Sequence, residues 1–310
     1  MIKTLTLNPA VDKTIIIENF KIDDLNRIKE VFKDAGGKGI NVSKMVNNLE
    51  QDTSATGFLG GYTGEFIREE MDQMGIKHNF VEVDNETRTN IKMVDSKNGT
   101  FTDINEKGAL VSKAKVKELK EDIFYNLKEN DILTLSGSIP QGVNESIYAE
   151  IIYAAKEKNI KTILDADGKL FAKGVKAGPT LVKPNNHELS MYFNKELESL
   201  EEMIEVSQSF FDYGIEMVML SLGEKGAVFL NKDKRIKVKP LNLDIKSTVG
   251  AGDAMVGGLA IGMKEQMTVE KMVKLAAAAS SASLVEDGTV MGKKENVYKF
   301  QEKIEVSYIE

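Results

Sequence analysis

The sequence predicts an α/β fold: a doubly wound, mostly parallel sheet flanked by helices, with a small β-sheet lid added. Three observations predict it. Short apolar runs alternate with amphipathic stretches almost to the end, and two regions interrupt that rhythm with extended segments. No linker, low-complexity tract or internal repeat divides the 310 residues. The chain therefore reads as one domain, 1–310, whose lid is made of insertions at about 12–33 and 88–105.

The elements follow in order. Residues 4–7 form the first strand-like run. Residues 13–20 are a β-branched run (Thr14, Ile15, Ile16, Ile17) with no helix following promptly, the first part of the lid. Val42, Met45, Val46 and Leu49 recur at helical spacing, placing a helix at 42–49 with Asn41 as its N-cap. A second helix covers 65–74. Thr89, Ile91 and Met93, then Thr100 and Thr102, alternate around a Lys97-Asn98-Gly99 turn, a hairpin signal. Beyond it come helix 113–127, strand 132–136, helix 145–156, strand 161–165, strand 180–182, helix 200–211 and strand 217–221. A small-residue helix at 255–263 and an Ala/Ser-rich one at 276–285 close the series, and core packing accounts for most of those alanines. In such sheets ligands collect at the C-terminal strand ends, here the loops after Leu7, Ser136, Val182 and Ser221.

Composition narrows the chemistry. Apolar residues at 42% and charged residues at 29% describe an ordinary globular chain. Lys plus Arg (41) against Asp plus Glu (48) leaves −7, a poor match for nucleic acid or an anionic membrane. The first residues lack the apolar core of a signal peptide, and no apolar run approaches the length of a membrane span. Cytoplasmic residence is expected. The absence of cysteine removes disulfides, thiolate catalysis and Cys-based zinc sites. With only His78 and His187, acid–base work falls to carboxylates or lysines.

The most informative stretch is Ser247-Thr248-Val249-Gly250-Ala251-Gly252-Asp253-Ala254, at the start of the helix expected from 255. Backbone N–H groups at a helix start make a donor cradle that carries part of the helix dipole, and glycine lets a bulky anion approach. A carboxylate in an anion site suits proton handling, so Asp253 reads as a general base beside a phosphate trap. The competing reading is an ordinary helix-N-terminal Asp. The P-loop pattern is missing, because Gly37-Lys38-Gly39 and Gly168-Lys169-Leu170 both lack the required Ser or Thr. The dinucleotide fingerprint is also missing after the first strand, where Asn8-Pro9-Ala10-Val11-Asp12 stands instead. A second glycine cluster, Ala35-Gly36-Gly37-Lys38-Gly39-Ile40-Asn41, joins a cation and an amide in one loop, suited to a sugar hydroxyl and a phosphate.

Gly36 to Asn41, Lys183-Pro184-Asn185 with Glu188, and Thr248 to Asp253 together resemble the ribokinase-like carbohydrate kinases, in matching order across essentially the whole chain. Thr6-Leu7-Asn8-Pro9-Ala10-Val11-Asp12 is similar to the opening of the bacterial phosphosugar kinases: 1-phosphofructokinase (fructose-1-phosphate kinase), tagatose-6-phosphate kinase and the minor 6-phosphofructokinase. Arg88-Thr89-Asn90-Ile91-Lys92 with Thr102 to Asn105 is most similar to the first of these. The resemblance implies an ATP-dependent kinase that makes fructose 1,6-bisphosphate from fructose 1-phosphate, with tagatose 6-phosphate and then fructose 6-phosphate as alternative acceptors. A catalytically silent sugar-phosphate-binding regulator on the same fold is the reading from another class, which an intact Gly250 to Asp253 stretch argues against.

Roles follow residue by residue. Asp253 is expected to accept the proton of the attacking hydroxyl, and the Gly250, Ala251 and Gly252 N–H groups to stabilise the transferred phosphoryl. The resemblance gives Asp12 the sugar hydroxyls, with Gly37, Asn41 and Ser136 completing the cleft. Arg88 and Lys92 fall on one face of a strand, with Asn90 between them, and are expected to offer cations to the substrate's own phosphate, with Lys38 and, more weakly, Arg27 as further candidates. For the nucleotide, Lys183, Asn185, Ser221, Gly223, Gly226, Thr248, Gly250 and Gly252 are implied, and Asn185 with Glu188 is implied to hold Mg²⁺ through water. Apolar lid edges such as Ile15 and Ile17 predict a homodimer in which two lids pack together.

Overall fold

The computed structural model describes residues 1–309. β1 (Ile2–Thr6) turns through Asn8-Pro9 into β2 (Ala10–Ile17) and β3 (Ile28–Gly36), followed directly by α1 (Lys38–Asn48). Next come β4 (Thr53–Leu59), α2 (Gly61–Gln73), β5 (Lys77–Glu82), β6 (Arg88–Asp95), β7 (Thr100–Asn105) and α3 (Lys113–Ile123). The middle of the chain is β8 (Ile132–Ser136), α4 (Ile147–Glu157), β9 (Lys161–Asp165), α5 (Gly168–Lys176), β10 (Leu181–Val182), α6 (Asn186–Phe193) and α7 (Leu200–Ser207). The last part holds β11 (Met217–Ser221), β12 (Ala227–Leu230), β13 (Arg235–Val238), α8 (Ala251–Lys264), α9 (Val269–Leu284), α10 (Lys294–Gln301) and β14 (Val306–Tyr308).

The main sheet runs β14-β13-β12-β11-β10-β9-β8-β1-β4-β5. Strands from β5 to β11 pair in parallel, which agrees with the expected doubly wound core, but β12, β13 and β14 are an antiparallel edge. The sequence reading missed that edge because its strands are short and weakly patterned, and it also missed β4 and β5, which are longer but interrupted by polar residues and glycine. α1, α8, α9 and α10 bury their apolar faces on one side of the sheet, and α3 to α7 cover the other. The late alanines are core residues: Ala276, Ala278, Ala279 and Ala282 are fully buried, and Gly258 and Gly262 let α9 press directly onto α8.

A separate sheet, order β3-β2-β6-β7, stands apart from the main one. Its strands come from two segments, Ala10 to Gly36 and Arg88 to Asn105, the first reaching somewhat further than the 12–33 expected. Two boundaries differ in a way that matters. α1 starts at Lys38 rather than 42, with Gly37 as N-cap at φ 119°, so Asn41 lies inside the helix and is not its cap. α8 starts at Ala251 rather than 255, so Gly252 and Asp253 occupy its first turn, with Gly250 as a left-handed N-cap. In both cases the short glycine-rich lead has no apolar periodicity, and the tertiary contacts of the helix start decide where it begins.

Candidate active site

The site forms where the strand order reverses. Thr6, Ser136 and Asp165 are the last residues of β1, β8 and β9 and stand side by side in register, with Gly57 of β4 on the far side of Thr6. Such a switch point leaves a crevice at the strand ends. The N-termini of α1 and α8 meet there. Gly39 has to be glycine, because a Cβ would sit 2.7 Å from the Leu5 carbonyl oxygen. Gly257 likewise lets α8 rest on Met45 and the Val42 carbonyl of α1. Asn41 is thereby carried to Asp253, and its Nδ2 donates to Asp253 Oδ2 at 2.8 Å.

Two lysines and three carboxylates cluster beside these helix starts. Lys38 and Lys183 both reach Asp165 Oδ1, at 3.2 and 3.3 Å. Burial alone would raise the Asp165 carboxyl, yet the two ammonium groups hold it below its usual range. The Asp165 charge in turn holds Lys38 above the ordinary lysine range. Burial, then the Asp165 charge, pushes Asp253 up to about 6, while Lys38, Asn41 and Lys183 pull the other way. Burial also raises Glu188. A carboxyl titrating near neutrality at a helix start has the protonation behaviour asked of a general base.

The second sheet supplies the opposite wall. Asp12, Asn90 and Asn105 lie in one transverse row across β2, β6 and β7. Asn90 Nδ2 donates to Asp12 Oδ1 at 2.9 Å, and burial raises the Asp12 carboxyl. Gly36 lacks a side chain because the Asp12 carboxylate occupies that space. The cleft measures about 360 Å³ and reaches from Asp12, Arg88 and Asn90 to Lys38, Asn41 and Asp253. Several buried polar atoms of its lining residues have no partner in the protein: Thr6 Oγ1, Ser136 Oγ, Asn41 Oδ1 and Asn90 Oδ1; Asp165 Oδ2, at the end of β9, has none either. Buried polar groups are normally hydrogen-bonded, so a concentration of orphans marks a place built for a polar ligand.

Comparison with known proteins agrees with this geometry. The profile described as pfkB family carbohydrate kinase matches residues 5–295. The chain belongs to the PfkB family of carbohydrate kinases. A 1-phosphofructokinase of Borreliella burgdorferi is 36% identical over 303 residues, covering 97% of this chain and 95% of that protein. A tagatose-6-phosphate kinase of Staphylococcus epidermidis is 38% identical over 315 residues, covering 99% and 100%. The crystal structure of Escherichia coli phosphofructokinase-2 with potassium superposes with a TM-score of 0.93 at 30% identity, covering 97% of this chain and 98% of that one. The ribokinase-like architecture expected from the sequence is thus the one observed.

Within this PfkB chain the sequence-selected residues divide by place. Asp12, Gly37, Lys38, Asn41, Arg88, Asn90, Ser136 and Asp253 all line the cleft. Lys92 is on the same face of β6 as Arg88 and Asn90, but opposite Thr14 and Asp103 and outside the cleft lining. Arg27 does not join the site within one chain: it is exposed on the loop between β2 and β3. Gly252 lies under the Lys183 ammonium, 3.5 Å from where a Cβ would be. Asn185 and Ser221 form a parallel bridge next to β10 and β11, and Gly223 and Gly226 hold left-handed turns just beyond. Thr248 is exposed ahead of Gly250. Asn185 and Glu188 form a capping box on α6: Asn185 Oδ1 accepts from the Glu188 amide at 2.8 Å, and Glu188 Oε2 from the Asn185 amide at 2.9 Å.

The sequence reading missed Asp165, the hub of the charge cluster, and Asn8, Asn105 and Asp167, which line the cleft. Asp165 had a local signal, being the last residue of a recognised strand at the sheet's carboxyl edge. Asn8 and Asp167 sit in loops whose positions only the fold defines, and Asn105 reaches the cleft as the last residue of β7.

Proposed function

We propose that this chain is an ATP-dependent sugar-phosphate kinase that converts fructose 1-phosphate to fructose 1,6-bisphosphate. The observation that carries the reading is the buried Asp253 carboxylate, raised to about 6 and held by Asn41 in the first turn of α8. The sugar's free primary hydroxyl attacks the terminal phosphorus of ATP, a new O–P bond forms, and ADP leaves with the bridging oxygen. Asp253 takes the hydroxyl proton. The N–H groups of the α8 start face charge that grows on the transferred group. Lys38 and Lys183, pre-set by Asp165, compensate the phosphates without having to be ordered during the reaction. Asp12, Gly37, Asn41 and Ser136 hold sugar hydroxyls, and Arg88, with Lys92 further out, attracts the phosphate the sugar already carries. Lys183, Asn185, Ser221, Gly223, Gly226 and Thr248 border the nucleotide.

The metal expected with ATP fits the donors present. Among the described residues no three His, Asp or Glu side chains gather to hold an ion by themselves. Magnesium keeps most of its waters and needs only one or two hard oxygens. Glu188 with its second oxygen, and the unpartnered Asp165 Oδ2, meet that need; Asn185 contributes by fixing Glu188 through the capping box. When bound, the ion neutralises phosphate charge.

Tagatose 6-phosphate is the second reading, favoured by the 38% identity to a tagatose-6-phosphate kinase. A coupled ADP-release assay over fructose 1-phosphate, tagatose 6-phosphate, fructose 6-phosphate and the free sugars decides between them. Turnover fastest on a free sugar, or none at all, would overturn the sugar-phosphate reading. The second sheet acts as a lid on the cleft, and two copies pair through it. Ile17 is buried and Ile15 half-buried, so neither is the exposed surface expected; Val31, Phe32, Phe101 and Ile104 on the edge strands β3 and β7 are.

A further inference from the structure

Tyr148 is fully buried at the start of α4, on the face that also buries Ile147, Ile151, Ile152 and Ala155. Its hydroxyl reaches two consecutive backbone carbonyls, Ser136 and Gly137, at 3.0 Å each. These belong to the turn that leaves β8 and forms part of the cleft wall. Such a contact constrains more than the two oxygens. Across a planar trans peptide the C=O and the following N–H point in opposite directions. With the Ser136 carbonyl turned to Tyr148, the Gly137 N–H points the other way, and it donates to the Asp165 carbonyl at 2.9 Å. With the Gly137 carbonyl also turned to Tyr148, the Ser138 N–H points away from the core, on the side where Ser138 lines the cleft. Gly137 permits this arrangement with φ +89°, a conformation that side-chain-bearing residues rarely adopt.

The turn is pinned from a second side. Asn8 Nδ2 donates to Ser138 Oγ at 3.2 Å and is also near the Lys107 and Ile139 carbonyls, at 3.3 and 3.4 Å. Ser138 Oγ therefore accepts from Asn8 and keeps its own proton to donate. Ser138 is exposed to the cleft, so its N–H and O–H form a donor pair whose direction is set from below by a phenol that never meets the ligand.

We propose that Tyr148 is a positioning residue for the sugar substrate: it fixes the 136–138 turn so that Ser138 presents its two donors to the acceptor sugar phosphate and not to the nucleotide. The inference rests on the sugar-phosphate reading above. Tyr148→Phe keeps the ring and removes only the hydroxyl. In the ADP-release assay the KM for the sugar phosphate rises about five- to tenfold, the loss of one aimed hydrogen bond, while the KM for ATP stays within about twofold. Ser138→Ala, at an exposed position that does not threaten folding, gives the same split. In the double variant the effects are less than additive, because both changes disable one contact. If Tyr148→Phe lowers the thermal midpoint but leaves both KM values unchanged, Tyr148 is only a packing residue and the proposal falls. An unchanged sugar KM in Ser138→Ala overturns it however Tyr148→Phe behaves. A wild-type chain inactive on every sugar phosphate overturns the underlying reading as well, whereas an active wild type with unaltered variants overturns the positioning role alone.

Discussion

Asn41 and Asp253 lie 212 residues apart in sequence and meet in a buried hydrogen bond of 2.8 Å. The bond exists because α1 and α8 pack their glycine-bearing starts against each other at the carboxyl edge of the sheet. It orients the carboxylate without neutralising it, and burial then keeps its proton affinity high.

Removing the base is the first test. Asp253→Asn keeps the shape and is expected to lower kcat by roughly 10²–10⁴-fold, with both KM values little changed. Near-wild-type turnover would take Asp253 out of this role. In the wild type, kcat/KM should hold steady above pH 7 and fall as the pH drops through about 6, where Asp253 becomes protonated. The stability effect has the opposite sign from that of a salt-bridged Asp. The folded state holds this proton more tightly than the unfolded chain, so the group costs stability as pH rises from the ordinary carboxylate range to about 6, and the full cost persists above. Asp253→Asn should therefore raise the thermal midpoint at pH 8 and do so far less at pH 4.

Asp165 gives a sharper prediction. It holds Lys38 and Lys183 together and is 1% exposed. Asp165→Asn leaves two ammonium groups without their shared anion, a change that typically costs about 3–5 kcal/mol when a buried pair is broken. Removing its charge also removes the second-largest cause of the raised Asp253 titration. The acid limb of kcat/KM should move below 6 in any residual activity. An acid limb that stays in place would show that Asp165 does not tune the base.

Arg88 and Lys92 separate by geometry. The Arg88 guanidinium donates to the carbonyls of Asn8 (3.0 Å), Pro9 (3.4 Å) and Glu106 (3.0 Å), which leaves two of its five N–H groups for an anion. Arg88→Met should raise the sugar-phosphate KM about 10- to 100-fold, the range of a hydrogen bond to a charged group. Lys92→Met, outside the cleft lining, should change it about threefold or less. Equal effects from the two variants would contradict this placement of the phosphate.

Pairing of lids predicts a mass of twice the chain by light scattering at micromolar concentration. Phe32 is 51% exposed on an edge strand, so Phe32→Asp should leave the thermal midpoint of an isolated chain almost unchanged and shift the mass to the monomer. A monomeric wild type would refute the pairing.

The glycine motifs were legible because their chemistry is local. A helix start preceded by Gly250 can cradle an anion whatever surrounds it, and Asp253 lies within the same turn. Five strands of the parallel core, β1 and β8 to β11, were legible too, since continuous apolar runs announce burial on both faces, whereas β4 and β5 were not. The antiparallel edge formed by β12, β13 and β14 was not, because its strands are 4, 4 and 3 residues long and carry no clear period.

Sequence alone determined the α/β class with its small second sheet, the family and the two glycine clusters that precede helices, all features written within a few adjacent residues or in simple periodicity. Only the tertiary structure decided that Asn41 serves Asp253 and does not cap its helix, that Asp165 unites Lys38 and Lys183, that Arg27 stands away from the site within one chain, and that Tyr148 sets the turn beside the cleft. These relations join strand ends and helix starts that are distant in the chain. They arise from sheet register and close helix packing, which no local pattern of residues encodes.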